Sequence, residues 1–190
     1  MLDMGPYYLT ALVNMLGNVA EVCGMNSAAF PARTITSVKK YGKTVNVEVD
    51  THTAGLLRFE NGAVGTIITS FDICNSTLPR IEVYGTKGTI IVPDPNTFGG
   101  EIRLATLADN NFKVMPLTHI YADNSRGLGL AQMAKAVQEG VPVAASGELT
   151  CHVLEIMCAM KQSDTMKKYY DMTTKFEAVR MSTDLIPGYV

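Results

Sequence analysis

The absences in this sequence narrow its chemistry first. No G-x-G-x-x-G follows a first strand, so the turn that seats a dinucleotide pyrophosphate on a helix N-terminus is missing. Gly127-Leu128-Gly129 comes nearest, but it has no third glycine at the required spacing and follows a loop. There is no G-x-x-x-x-G-K-[ST] loop and no G-x-S-x-G nucleophile elbow, so the chain carries no complete catalytic apparatus of those kinds. The four cysteines (Cys23, Cys74, Cys151, Cys158) form no C-x-x-C pair and the three histidines (His52, His119, His152) are scattered, so no metal is expected. Cys151 and Cys158 are seven residues apart on an expected helix and are read as buried free thiols on one face, in keeping with a reducing cytoplasm. No apolar run reaches the ~20 residues a membrane helix needs, and Met1-Leu2-Asp3 lacks the parts of a signal peptide. A net charge of −2 gives no field for nucleic acid or anionic lipid, and Lys39-Lys40 and Lys167-Lys168 are short solvated pairs.

What is present is a chain of 190 residues, 47% hydrophobic and 18% charged, enough for one domain with a real core. Leu9, Leu12, Val13 and Leu16 fall at helical spacing, with Pro6 suited to the first turn and Gly17 to the stop, so a helix is expected near Gly5 to Leu16. From about Val19 to Thr118 the period moves towards two. Thr51 to Phe59, then Glu60-Asn61-Gly62, then Ala63 to Phe71 read as a hairpin, with Asn61-Gly62 expected to supply the positive φ angles of a tight two-residue turn. Ile81 to Tyr84 and Thr89 to Val92 flank Gly85-Thr86-Lys87-Gly88, and Glu101 to Leu107 pairs with Phe112 to Leu117.

Helices then return. Leu130, Met133, Ala134 and Val137 make one expected buried stripe that ends at Gly140. A second helix opens at Ser146-Gly147-Glu148, with Ser146 as cap and the stripe Leu149, Val153, Ile156, Met157, Met160. A short extended segment is expected near Met172 to Phe176, and Met181 to Val190 as a loose end. The expected class is α+β: an open, mainly antiparallel sheet with helices packed on one face. Its other face needs a cover, either a second subunit or another domain.

The unusual segment is Leu2-Asp3-Met4-Gly5-Pro6-Tyr7-Tyr8-Leu9, at the mouth of the first helix. A carboxylate there meets the positive end of the helix dipole, and Tyr7 lies about one turn on. The residues alone leave two readings open: a proton-handling carboxylate and phenol, or an N-cap aspartate with a half-buried core tyrosine.

Asp3-Met4-Gly5-Pro6-Tyr7 resembles the D-x-G-x-H motif that opens the C-terminal domain of the glucose–fructose oxidoreductase/inositol dehydrogenase (Gfo/Idh/MocA) family. Val83-Tyr84-Gly85-Thr86-Lys87-Gly88-Thr89 resembles the family's G-[ST]-x-G turn. Pro93 to Gly100, Asn124 to Gly129, and Ala145 to Glu148 with His152 to Glu155 extend the similarity along nearly the whole chain. The resemblance implies that residues 1–190 form the substrate-binding and oligomerisation domain of a sugar or polyol dehydrogenase. Its Rossmann domain, with a lysine in an E-K-P motif, lies outside this chain. NAD or NADP is then expected in the complete enzyme and not on this chain alone. The implied partners are a sugar or polyol, the Rossmann domain, and further copies joined through the sheet as a dimer or tetramer. By the same resemblance Asp3 orients substrate and proton donor, and Tyr7 stands where many members have histidine.

Asp72 and Asn75, after a strand with Cys74, are further candidates for the substrate pocket, as are Tyr121, beside His119, and Arg126. A solvated strand end and ordinary loop hydrogen bonds are the plainer readings of these four. His152 reads as a satisfied structural histidine. The alternative to an oxidoreductase domain is a stand-alone sugar-binding or dimerisation module that kept the sheet without the chemistry.

Overall fold

The computed structural model describes residues 1–123 and 125–179. Helix α1 (Gly5–Leu16) leads into strand β1 (Val19–Ser27), then β2 (Ala32–Thr34), a short 3-10 turn at Val38–Lys40, and β3 (Thr44–Asn46). Next come β4 (His52–Phe59), β5 (Val64–Ser70), β6 (Ile81–Gly85), β7 (Gly88–Val92), β8 (Ile102–Thr106) and β9 (Lys113–Met115). Helices α2 (Leu128–Glu139) and α3 (Gly147–Met166) and strand β10 (Tyr170–Asp171) complete the order. Every strand pair among the described residues is antiparallel, in sheets of order β10-β1-β4-β5, β2-β3 and β6-β7-β8-β9, so the α+β expectation holds. Two compact units result. The first joins Met1–Ser76 to Glu148–Phe176, and the second contains Thr77–Gly147.

In the first unit, α1 and α3 cover one face of the four-stranded sheet. Leu9 and Val13 of α1, four residues apart, are fully buried against Val19, Val22, Leu57, Phe59 and Ile67 of the strands. The stripe expected on α3 is buried at all five positions, Leu149, Val153, Ile156, Met157 and Met160. Each such side chain contributes roughly 1.5–3 kcal/mol by leaving water. The helix lies unusually close to the strands because Gly24 and Gly55 are direct cross-strand partners beneath Met160. A Cβ at Gly24 would stand 2.4 Å from the Met160 carbonyl oxygen, nearer than any real contact.

Strand β10 covers only part of the β1 edge, pairing Tyr170 with Val22 and Asp171 with Glu21. Side chains of α3 take over beyond it. The Val19 N–H donates to His152 Nε2 at 3.0 Å, the Gly24 N–H to Ser163 Oγ at 3.3 Å, and the Asn26 N–H to Asp164 Oδ2 at 3.0 Å. Backbone donors at a buried sheet edge need such partners. Since Nε2 accepts, the proton of the neutral ring sits on Nδ1, which donates to the Thr174 carbonyl at 2.9 Å. His152 is fully buried and satisfied at both nitrogens.

The segment after β10 is clasped as well. Glu155 accepts from the Thr173 N–H and hydroxyl at 2.9 and 2.6 Å, from the Thr174 N–H at 2.8 Å, and from the Thr174 hydroxyl. Asn18 exchanges two hydrogen bonds with the Phe176 backbone, and the Phe176 ring packs on His152. Burial pushes the Glu155 carboxyl up, but the four hydrogen bonds outweigh it and hold the group at about 2. Burial lowers His152 below its ordinary value, ahead of smaller opposing effects from Thr174 and Glu155.

Three expectations are corrected. The hairpin turns at Glu60-Asn61-Gly62 as read, but as a three-residue turn closed by Phe59 N–H to Ala63 O at 2.9 Å, in which only Gly62, not Asn61, takes a positive φ, +88°. Asn61 uses its side chain instead, accepting from the Ala63 N–H and donating to Leu16 O, which ties the turn to the end of α1. The α2 stripe faces outward: Leu130 and Val137 are 73% and 71% exposed, while Gln132 and Ala136 are buried. Cys151 and Cys158 are free but exposed, on the side of α3 turned away from the core. Met181 to Val190 lies outside the described residues.

Two outcomes follow from this packing. Gly24→Ala lowers stability by about 1–3 kcal/mol, read from urea unfolding, because the β1 and α3 backbones must separate. Acid acts through His152 and Glu155 in the same direction. A histidine kept neutral contributes stability above its ordinary 6.5 that is lost as the pH falls. A carboxylate held at about 2 contributes fully above 4.5 and loses that share as the pH falls towards 2. Glu155→Gln therefore lowers the urea midpoint at neutral pH and flattens its fall below pH 4.5. An acid limb identical to that of the parent chain would contradict the clasp.

Candidate active site

The two ends of the first sheet differ. One is closed by the Glu60-Asn61-Gly62 turn and the end of α1. At the other, β1 ends at Ser27, β4 begins at His52 and β5 ends at Ser70. The mouth of α1 lies at this second end, where the Thr69 hydroxyl meets the Met1 sulfur at 3.9 Å.

The first turn of α1 is satisfied by backbone. The Gly5 N–H donates to Met1 O at 2.7 Å and the Tyr7 N–H to Met4 O at 3.2 Å. Met4 occupies the N-cap position and no side chain caps it. Asp3 therefore does not cap the helix, and it is exposed with no hydrogen bond or ion pair among the described residues. Tyr7 is 46% exposed and equally unengaged. The structure thus departs from the reading of Asp3 as an N-cap, while Tyr7 is half-buried as that reading had it. They stand as a free carboxylate and a free phenol at the positive end of a helix, where an anion is favoured.

Beyond β5 the chain is held by a knot around Asp72, whose side chain is only 7% exposed. Arg33 Nη2 approaches Asp72 Oδ1 at 2.5 Å and also donates to Phe71 O at 2.6 Å. Asp72 Oδ2 accepts from the Thr51 hydroxyl at 2.7 Å and the Ala29 N–H at 3.2 Å. The Thr51 hydroxyl first, then the Ala29 amide and the Arg33 guanidinium, hold this carboxyl below the ordinary carboxylate range. Ser70 Oγ accepts the Asp72 N–H and lies 3.0 Å from His52 Nδ1. A cavity of about 430 Å³ opens beside the knot, lined by Phe30, Arg33, Thr34, Phe71, Asp72 and Cys74. The guanidinium of Arg33 lies 5.5 Å over the Phe30 ring.

Asp3, Tyr7 and Asp72 thus share one end of one unit, with Asp72 committed to holding Arg33 and the loop. Asn75 follows on the exposed loop, its Oδ1 accepting the Ser76 N–H at 2.8 Å. Tyr121 and Arg126 belong to the second unit. The Tyr121 ring stacks on His119 and its N–H donates to His119 Nδ1 at 3.1 Å. Arg126 borders a separate open cavity. Sequence reasoning passed over Arg33, Thr51 and His52, and no local signal marks them: Arg33 is 39 residues from Asp72. Among the described residues no three His, Cys, Asp or Glu side chains gather to hold a metal, and no helix is long and apolar enough to cross a membrane.

Comparison with known families and structures bears on this end of the molecule. Residues 1–91 match the GFO/IDH/MocA C-terminal domain. The resemblance carried by Asp3 to Tyr7 and by the Gly85–Gly88 turn is borne out over that stretch. Asn124, at the start of a further similar segment, lies outside the described residues. No curated protein sequence matches the chain. Among solved structures, a levoglucosan dehydrogenase in complex with NADH and L-sorbose aligns at 20% identity and TM-score 0.67, over 89% of this chain and 49% of that one. An NAD-binding oxidoreductase from Klebsiella pneumoniae aligns at 17% identity and TM-score 0.70, over 90% and 50%. An aldose-aldose oxidoreductase from Caulobacter crescentus, complexed with glycerol, gives 18% and 0.66, over 90% and 46%. These superpositions show a shared fold, and the chain spans about half the length of each of these structures.

Neither side chain makes a hydrogen bond that the fold depends on, and Asp3 keeps only its interaction with the helix dipole, roughly 0.3–1 kcal/mol. Tyr7→Phe should leave the urea midpoint of this chain unchanged and Asp3→Asn lower it only slightly, whereas Asp72→Asn should lower it clearly by leaving Arg33 without its counter-charge. Equal loss in all three variants would place Asp3 and Tyr7 among the structural residues.

Proposed function

We propose that residues 1–190 are the substrate-side domain of an NAD(P)-dependent oxidoreductase acting on a sugar or polyol. The observation that carries this reading is the pair Asp3 and Tyr7, idle in the fold yet set at a helix mouth inside the stretch that matches the family. The described residues offer no glycine-rich turn between strand and helix for a pyrophosphate, so they do not fit a nucleotide themselves. NAD or NADP is assigned to a Rossmann domain outside this chain. The NADH complex of the levoglucosan dehydrogenase, and the description of the Klebsiella protein as an NAD-binding oxidoreductase, support that assignment.

In this reading Asp3 accepts a hydrogen bond from a substrate hydroxyl and orients it towards the proton carrier. The Tyr7 Oη exchanges the proton of the reacting hydroxyl. A phenol ordinarily titrates near ~10 and is a poor base at neutral pH without a neighbouring cation. Among the described residues no lysine or arginine bonds to Tyr7, so the reading gives that role to the lysine of the Rossmann domain. Four free cysteines fit a reducing cytoplasm.

The outer face of the first sheet supports assembly. Met25, Leu56, Val64 and Ile68 are exposed there at 73%, 42%, 63% and 59%, side by side across β1, β4 and β5. We place the interface of a homodimer or tetramer on this face. Ile68→Asp should then shift the sedimentation of the chain to the monomer, and an unchanged species would exclude the face.

The deciding experiment uses the complete polypeptide that carries this chain. It should reduce NAD+ or NADP+ with a member of a sugar and polyol panel, while the 190-residue chain alone does not. Asp3→Asn and Tyr7→Phe should each lower kcat by about 100-fold or more, the usual share of a positioned proton carrier. An unchanged kcat for Tyr7→Phe would remove it from the mechanism. Sugar binding and assembly without any turnover would favour a stand-alone module.

A further inference from the structure

The second unit holds an open cavity of about 500 Å³ between the β7–β8 connection and the loop before α2, lined by Asn96, Thr97, Phe98, Gly99, Ala122 and Arg126. We propose that it binds a carboxylated polyhydroxy compound, the class of aldonic and uronic acids.

The walls are built in advance. Asp94 Oδ1 accepts the Asn96 N–H at 2.9 Å, and the Thr97 hydroxyl spans the loop with contacts of 2.8 and 2.9 Å to the Asp94 and Gly99 carbonyls. The floor is bare peptide: a Cβ on Gly99 would lie 2.6 Å from the Ala122 carbonyl oxygen. Three groups remain uncommitted on this frame. Arg126 is exposed without an ion pair among the described residues, whereas the other described arginines of the unit, Arg80 and Arg103, pair with Asp94 at 3.7 Å and Glu101 at 2.8 Å. The Asn96 side-chain amide has no partner among the described residues, and the Phe98 ring is 39% exposed.

These groups match three parts of one ligand. A guanidinium fork grips a carboxylate through two parallel N–H bonds. An amide offers a donor and an acceptor to neighbouring hydroxyls. An aromatic ring covers the apolar C–H side of a polyol. A single cation in the lining suits a monoanion, and no second lysine or arginine is there to neutralise a phosphate dianion.

The site goes beyond the proposed reaction and does not rest on it, so its test involves no nucleotide and no turnover. The 190-residue chain is titrated with sodium D-gluconate, sorbitol, acetate and inorganic phosphate, and followed by backbone amide NMR. Gluconate should shift resonances of Asn96 to Gly100 and Ala122 to Arg126 with a Kd on the order of 1 mM. Sorbitol and acetate, each lacking one part of the ligand, should bind about tenfold more weakly or less. Arg126→Gln should weaken gluconate about tenfold or more, with Asn96→Ala and Phe98→Ala also weaker, while the charge-matched control Lys87→Gln leaves it unchanged. No saturable shift, phosphate binding as tight as gluconate, or unaltered binding in Arg126→Gln would each overturn the proposal.

Discussion

The close approach of α3 to the first sheet is the constraint on which the rest of that unit depends. It exists because two glycines, Gly24 and Gly55, face each other across β1 and β4 where Met160 comes down. With a side chain at Gly24 the helix would stand off and its polar reach to the strand would fail, and one at Gly55 would displace the Met160 sulfur. At this separation Ser163 and Asp164 meet the Gly24 and Asn26 amides, and His152 meets that of Val19 at the far end of the same helix. The helix is therefore a packing element and the cover of a sheet edge at once. This explains why β10 needs only two residues: α3 supplies acceptors where a longer strand would otherwise run.

The same seating fixes the mouth of α1. Leu9 and Val13 lock that helix into the common core, and the turn at Asn61 holds its far end. Its first turn is satisfied by backbone carbonyls alone, which releases Asp3 from capping. A side chain that must close a helix cannot also be spent on a ligand. Here packing and backbone hydrogen bonds do the closing, and the carboxylate stays available at the positive end of the dipole.

Much of the first unit was legible in the sequence because its signals are local. The period of Leu9 to Leu16, the β4–β5 hairpin and the five buried positions of α3 all arise from residues close along the chain. The outward face of α2 was not legible. Periodicity shows that Leu130, Met133 and Val137 share a side, but not whether this chain supplies a surface to cover it. The exposed thiols on α3 fail for the same reason, since spacing assigns a common face without saying which one. The Asp72 knot was invisible because its partners lie 21 to 43 residues away and consist of a hydroxyl, an amide and an arginine with no motif among them. The motif at Asp3 stood out in the sequence, whereas the finding that Asp3 does not cap its helix is structural.

Engagement is the property that sorts the polar residues here. Asp72, His152 and Glu155 are each surrounded by partners, and moving any of them would break hydrogen bonds that hold separate segments together. Asp3, Tyr7 and Arg126 make no such bonds among the described residues, so none has to be broken when they turn to a ligand. A polar group already paired must exchange one good bond for another before it can bind, and little free energy remains from the exchange. A group held only by its backbone keeps that free energy for what arrives. The carboxylates of Asp3 and Asp72 lie at the same end of one sheet, and the chemistry open to them differs because one of them is already occupied.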